Sequence, residues 1–325
     1  MKKHLLLCLF CCWSYALVAQ QNFTETVKLM GSSFDITVVT KQQSEADVFI
    51  EMATNEIRRI ERLISSWDAN SQTSLINRNA GIAPVKVDKE LFDLIMRCQA
   101  ISRVTDGAFD ISYASMDRIW SFDGRMTQMP SKVAILNAVR KVGYQNIILN
   151  KKKQTVFLSL LGMKIGFGGI GKGYAADKAK SLLKTKGVQA GIINASGDMS
   201  TWGNQANGEH WKIAITNPMD KNKSFATFSL VNEAVVTSGD YEKFVLFNGK
   251  RFSHIINPKT GMPSSGIISV TVFSEKAELA DALATAVFVM GIEVGLNRIN
   301  QLPNVECIII KDTGEVIVSE HIKIN

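Results

Sequence analysis

The chain changes its hydrophobic period near Asn146, and that change limits the folds open to it. Before it, apolar residues recur at helical steps. Phe49, Met52, Ala53, Ile57, Ile60 and Ile64 form one stripe of a helix predicted from about Glu45. A second helix is predicted over roughly Lys89–Val104, stopping at Asp106–Gly107, and a third near Ser131–Val142. Ahead of them, FTETVKLMGSSFDITVVT alternates about a Met30–Gly31 turn and reads as a hairpin, while SSWDANSQTSLINRNAG reads as a polar loop holding Trp67. After Asn146 the apolar runs shorten to strand length. Strands are predicted near 155–160, 163–167, 190–195, 211–215, 225–230, 234–238, 252–256 and 267–273, with a last pair near 305–318. Only two helices, near 173–186 and 278–300, interrupt them. Hairpin-like strands grouped apart from helices predict an α+β fold instead of regular βαβ alternation. The expectation is a single two-lobed domain over 20–325, with mainly antiparallel sheets and flanking helices.

The first twenty residues stand apart. Lys2–Lys3 precede an apolar run from Leu5 to Leu17, and small residues surround Ala19. This is the layout of a secretory signal over 1–19, too short for a permanent membrane span. An exported, periplasmic protein is therefore expected, with membrane association only through the N-terminus. Cys8, Cys11 and Cys12 lie inside the signal, leaving Cys98 and Cys307, too few for a disulfide framework and without zinc spacing. Removing the signal takes two lysines from a formal charge of +7. The tight basic run Lys151–Lys153 sits beside a turn, so a solvated hairpin tip explains it and no nucleic-acid partner is expected.

Residues 166–174 read GFGGIGKGY, a phosphate-binding pattern with two look-alikes. Gly166, Gly168 and Gly171 spell the dinucleotide-fold G-x-G-x-x-G, which needs a βαβ setting and an acidic residue some 20 positions on. That place holds Lys186–Gly187–Val188–Gln189. Gly166 with Gly171–Lys172 spells most of a P-loop, but Gly173 stands where a hydroxyl must hold magnesium. Glycines that merely permit a tight turn remain a third reading.

Two further segments carry chemistry. In LADALATAVFVMG (279–291), Asp281 and Thr285 lie four apart on one face of a nearly all-apolar helix. A carboxylate there is costly without a partner, and two hard oxygen donors suit Mg²⁺ bound alongside phosphate. A hydrogen-bonded core aspartate is the alternative. His254, in RFSHIINPKTGMPSSG, closes a strand before a turn, a good place for a general base, although a structural histidine would look the same.

Taken together, GFGGIGKGYAAD resembles the D-L-G-G-I-A-K-G-Y-A-x-D motif of the ApbE-type FAD:protein FMN transferases. MGSSFDI, SSWDANSQTSLIN, TDGAFDIS, INASGD, TSGDYEKF, HIINPKTGMP and ADALATAVFVMG resemble that family's other blocks in the same order, from Met30 to Gly291. The resemblance implies a flavin-transferase fold and transfer of FMN from FAD onto a Thr or Ser hydroxyl of an acceptor protein, with release of AMP and with Mg²⁺. Implied acceptors are flavin-carrying subunits of membrane redox complexes, such as the sodium-pumping NADH:quinone reductase or Rnf-type complexes.

By position, the resemblance assigns Asp281 and Thr285 as metal-binding side chains and Gly171 and Ala284 as carbonyl ligands. It places Met30, Trp67, Ala108, Phe109, Asp110, Gly168, Tyr174 and Ile255 along the FAD site, and His254 at the catalytic position. Lys172 is a further cation toward the phosphates, beside amides around Gly168–Gly171. Departures are visible: Gly166 stands for Asp, Gly171 for Ala, Ser196 for Gly, Trp67 for Tyr, and Asn257 for the Asp after the histidine. Two rival readings share these residues, an exported FAD-binding or storage protein and a Mg-dependent FAD hydrolase giving FMN and AMP.

Overall fold

The computed structural model describes residues 19–240 and 243–322. The expected signal, 1–19, lies outside them except for Ala19. In chain order the elements are β1 (Gln21–Leu29), β2 (Ser32–Thr40), α1 (Gln43–Ile64), α2 (Gln72–Arg78), β3 (Val85–Lys86) and α3 (Lys89–Val104). A 3-10 turn over Ile111–Ser115 precedes α4 (Lys132–Val139), β4 (Ile147–Asn150), β5 (Thr155–Leu158), α5 (Gly171–Thr185), β6 (Gly191–Ala195) and β7 (Asp198–Trp202). Then come β8 (Trp211–Asn217), β9 (Asp220–Leu230), β10 (Ala234–Gly239), β11 (Phe244–Phe247), β12 (Lys250–Ser253) and β13 (Ile267–Ser274). The chain finishes with α6 (Ala277–Met290), α7 (Ile292–Asn300), β14 (Glu306–Lys311) and β15 (Val316–Val318).

Eight strands form one sheet in the order β1-β2-β6-β7-β10-β13-β14-β15. Every pairing in it is antiparallel. Strand alternation sorts its side chains to two faces. On one face Cys307, Ile309, Ala234, Val236, Val270 and Val272 join the core shared with α1, α5 and α6. Val235, Ile268, Ile308 and Ile310 face the other way, against Trp211, Ile213 and Ile215 of the β8–β9 hairpin. The fold is thus a mixed helix and antiparallel-sheet architecture, as expected.

Four local expectations change. No strand forms over 163–167, although Met163, Ile165 and Phe167 are buried in alternation. Side chains take the place of a partner strand: Asn77 donates to the Ile165 carbonyl at 3.0 Å and accepts from its amide at 2.8 Å. Ser115 does the same for Lys164. The helix expected over 278–300 is two helices, broken at Gly291, whose φ of 81° suits glycine. The polar loop contains α2, started by the Ser71 hydroxyl accepting from the Ser74 amide at 2.9 Å. Strands β3, β4, β7 and β11 were not anticipated, being two to five residues long.

Candidate functional site

The first turn of α5 meets the start of α6, and glycine makes the approach possible. A Cβ on Gly173 would lie 2.2 Å from the Ala277 carbonyl oxygen and 3.0 Å from the Asp281 Cβ. The Gly173 amide instead donates to the buried Asp281 carboxylate at 3.2 Å. One helical turn further on, Thr285 turns its hydroxyl to the glycine turn: a Cβ on Gly169 would come within 3.0 Å of Thr285 Oγ1. Asp281 and Thr285 therefore share a face, as their spacing predicted, and that face looks at residues 169–173. Gly171 opens α5, with the Met30 side chain beside it; Ala284 is fully buried on α6.

A residue outside the expected set completes this cluster. Asp198, at the start of β7 and almost wholly buried, forms an ion pair with Lys172. Burial raises its carboxyl above the ordinary range, and the nearby Asp281 charge adds to that, while Lys172 opposes it. Burial likewise raises Asp281. Two buried carboxylates thus stand beside one lysine, a grouping that favours a shared proton or a bound cation. Among the described residues no three His, Cys, Asp or Glu side chains gather as a metal cluster. The side chains that converge here are instead the Asp281 carboxylate and the Thr285 hydroxyl, both hard oxygen donors of the kind that fits Mg²⁺.

The segment 113–122 runs along the site and was not recognised in the sequence. Tyr113 rests its hydroxyl on Gly168, Arg118 lies 5.1 Å from the Trp67 ring centre, and Phe122 meets the His254 ring edge-on at 6.4 Å. Trp67 is 80% exposed, a ring held open to solvent on one side with a guanidinium on the other. No periodicity marks this segment, which is why pattern reading passed over it. Asp198 gave no local signal, because its lysine partner lies 26 residues away on another element.

His254 follows β12. Its backbone amide donates to the Lys243 carbonyl at 3.0 Å, and its Nδ1 lies 3.2 Å from the same oxygen. A carbonyl accepts only, so Nδ1 carries the proton and Nε2 is left as the basic nitrogen. Partial burial of the ring lowers its pKa from the usual histidine value. Ile255 packs on the main core next to it.

Other expected residues are held by partners outside the Asp281–Thr285 cluster. Ala108 and Phe109 are core residues. The buried Asp110 carboxylate accepts from the Ser112 amide and hydroxyl and from the Tyr144 amide, fixing the 3-10 turn. Tyr174 donates its hydroxyl at 2.8 Å to Glu90 on α3, away from Asp281. Burial opposes ionisation of Glu90, yet hydrogen bonds from Arg59, Tyr174 and Lys178 outweigh it and hold that carboxyl at about 2.

An all-antiparallel sheet with this cluster at its helix ends defines an α+β protein that uses neither a dinucleotide fold nor a P-loop. Residues 30–309 match the ApbE family. A Klebsiella pneumoniae protein named FAD:protein FMN transferase is 29% identical over 91% of this chain and 92% of its own length. Another of that name, from Buchnera aphidicola, is 32% identical over 71% of this chain and 69% of its own. The solved structure of the Thermotoga maritima ApbE protein is similar with a TM-score of 0.83, at 31% identity, covering 92% of this chain and 97% of that one. The apo Pseudomonas stutzeri flavinyl transferase ApbE has the same fold, with a TM-score of 0.82 at 24% identity over 94% and 96%. The chain belongs to the ApbE family.

Proposed function

We propose that this protein transfers FMN from FAD to a Thr or Ser hydroxyl of an acceptor protein and releases AMP. The observation that carries the reading is the convergence of Asp281 and Thr285 on the glycine turn in a chain of this family. Asp281, Thr285 and the carbonyls of Gly171 and Ala284 would hold Mg²⁺, which supplies charge neutralisation on a diphosphate.

The chain's own residues do the rest. The glycine turn borders the diphosphate, but its Ile170 and Gly171 amides are spent on the Phe167 carbonyl at 3.2 and 2.7 Å. Lys172, braced by Asp198, therefore adds the positive charge there. Trp67 offers an exposed ring face for flavin or adenine to stack on. His254 Nε2 takes the proton of the acceptor hydroxyl. The hydroxyl oxygen then bonds to the flavin-side phosphorus while the bond from that phosphorus to the bridging oxygen breaks, and AMP leaves with that oxygen. Positioning and charge neutralisation account for most of such a transfer.

Export fits the N-terminal segment, with Lys2–Lys3 ahead of an apolar run. Among the described residues no helix is long and apolar enough to cross a membrane. Acceptors that carry flavin in membrane redox complexes fit an exported enzyme of this family.

The deciding experiment incubates purified protein with FAD, Mg²⁺ and a candidate acceptor, followed by a denaturing gel. Fluorescence that stays with the acceptor band is the expected result. Free FMN without a labelled band would sink transfer in favour of hydrolysis, and unaltered FAD would favour storage.

A further inference from the structure

Two hydroxyls rest on adjacent glycines of the turn, from opposite elements. Thr285 Oγ1 of α6 covers Gly169, and Tyr113 Oη of the 3-10 turn covers Gly168, where a Cβ would come within 2.4 Å of it. The threonine belongs to the set already described. The tyrosine does not, and its placement is built rather than incidental. Asp110 caps the turn that carries it, Ser115 ties that turn to the Lys164 backbone, and the Gly166 amide donates to the Ile111 carbonyl at 2.9 Å. The Tyr113 residue is 43% exposed, so its ring borders open space while its hydroxyl meets the glycine backbone.

The chemistry of the phenol follows from that contact. Burial pushes the Tyr113 phenol above its ordinary pKa and the Asp281 charge adds to that, with the adjacent Gly168 amide opposing, so the phenol keeps its proton. A protonated phenol has one O–H to give to a partner. The carboxylate that acts on the phenol, Asp281, already accepts from the Gly173 amide. We propose that Tyr113 is a diphosphate-binding residue: its O–H donates to a phosphate oxygen of FAD while the phenol rests against the Gly168 backbone. This rests on the flavin-transfer reading, because it takes FAD as the ligand of the glycine turn.

The test compares FAD with riboflavin, which has the same ring system and no phosphate. Fluorescence titrations with Mg²⁺ present would be run on the wild-type protein and on Tyr113→Phe, which removes one oxygen and keeps the ring. We expect FAD affinity to fall about tenfold or more, the scale of a hydrogen bond to a charged group, with riboflavin affinity within about twofold. In the transfer assay the KM for FAD should rise more than kcat falls. Unchanged FAD affinity overturns the proposal, as does an equal loss for both flavins, which would mean a packing role. A melting curve for Tyr113→Phe guards against misfolding, and Tyr113→His, which restores a donor, should recover part of the FAD affinity. Binding alone judges the tyrosine, so wild-type protein that binds FAD yet labels no acceptor defeats the transfer reading and leaves this one standing. Wild-type protein that binds no FAD defeats both.

Discussion

His254 shows how one carbonyl can fix a tautomer. With Nδ1–H directed at Lys243, Nε2 is the nitrogen left to accept a proton, and partial burial keeps the ring neutral at a pH where it can do so. The sign follows. A base with a lowered pKa works above that pKa, so transfer should fade only as pH drops below the ordinary histidine value of about 6.5. His254→Asn should bind FAD normally and transfer about 10²–10⁴-fold more slowly; an unchanged rate in single-turnover labelling would reduce His254 to a structural role. Asp281→Ala makes the complementary case. Its carboxylate is buried with its pKa raised by that burial, so removing it leaves a folded protein. Flavinylation should disappear, and added Mg²⁺ should raise the melting temperature of the wild type but not of the variant. A magnesium-dependent shift that survives in Asp281→Ala would show that the ion binds elsewhere. Asp281 and Thr285 were legible in the sequence because four-residue spacing on an apolar helix leaves little choice of face. Asp198 was not, because its lysine partner belongs to another element.

The meeting of α5 and α6 is the element-scale feature on which the cluster depends. Gly173 is legible as a glycine in the sequence, but its reason is not: nothing local says that a carbonyl of α6 will stand where its Cβ would be. Gly173→Ala places that methyl 2.2 Å from the Ala277 carbonyl, so the helices must separate. Overpacking of this kind costs about 1–3 kcal/mol, and here the stiff backbone leaves little room to relax. Denaturant unfolding should show at least that loss, together with weakened Mg²⁺ binding as Asp281 moves with α6. Full stability and normal transfer in Gly173→Ala would mean the two helices pack less tightly than described. The misread strand at 163–167 has a related lesson. Its apolar alternation was real, and the burial it predicted is present, but Asn77 and Ser115 supply the hydrogen bonds that a neighbouring strand would have made. Alternation reports a buried face; it does not report who pairs with the backbone.

At the scale of the whole molecule, the eight-stranded sheet separates chemistry from cover. Its one face carries α1, α5 and α6, and with them the carboxylate cluster; its other face is closed by the β8–β9 hairpin. The α+β class was readable because strands and helices segregate along the chain, but the sheet order was not, because β2 pairs with β6 and β10 with β13 across long stretches of sequence. Which hairpin covers the sheet was not readable, since Trp211, Ile213 and Ile215 alternate as any half-buried strand does. Trp211 is the test of this division. It is buried, and its Nε1 donates to the Gly203 carbonyl at 2.9 Å, anchoring the hairpin to the end of β7. Trp211→Ala removes a large buried side chain and takes a donor from the partly buried Gly203 carbonyl, a loss on the order of 3–5 kcal/mol. Because that loss falls on the face away from Asp281, transfer at a temperature well below unfolding should stay within about twofold of wild type. A variant that loses transfer while remaining folded would show that the hairpin shapes the site through the sheet, and the two faces could no longer be treated as separate.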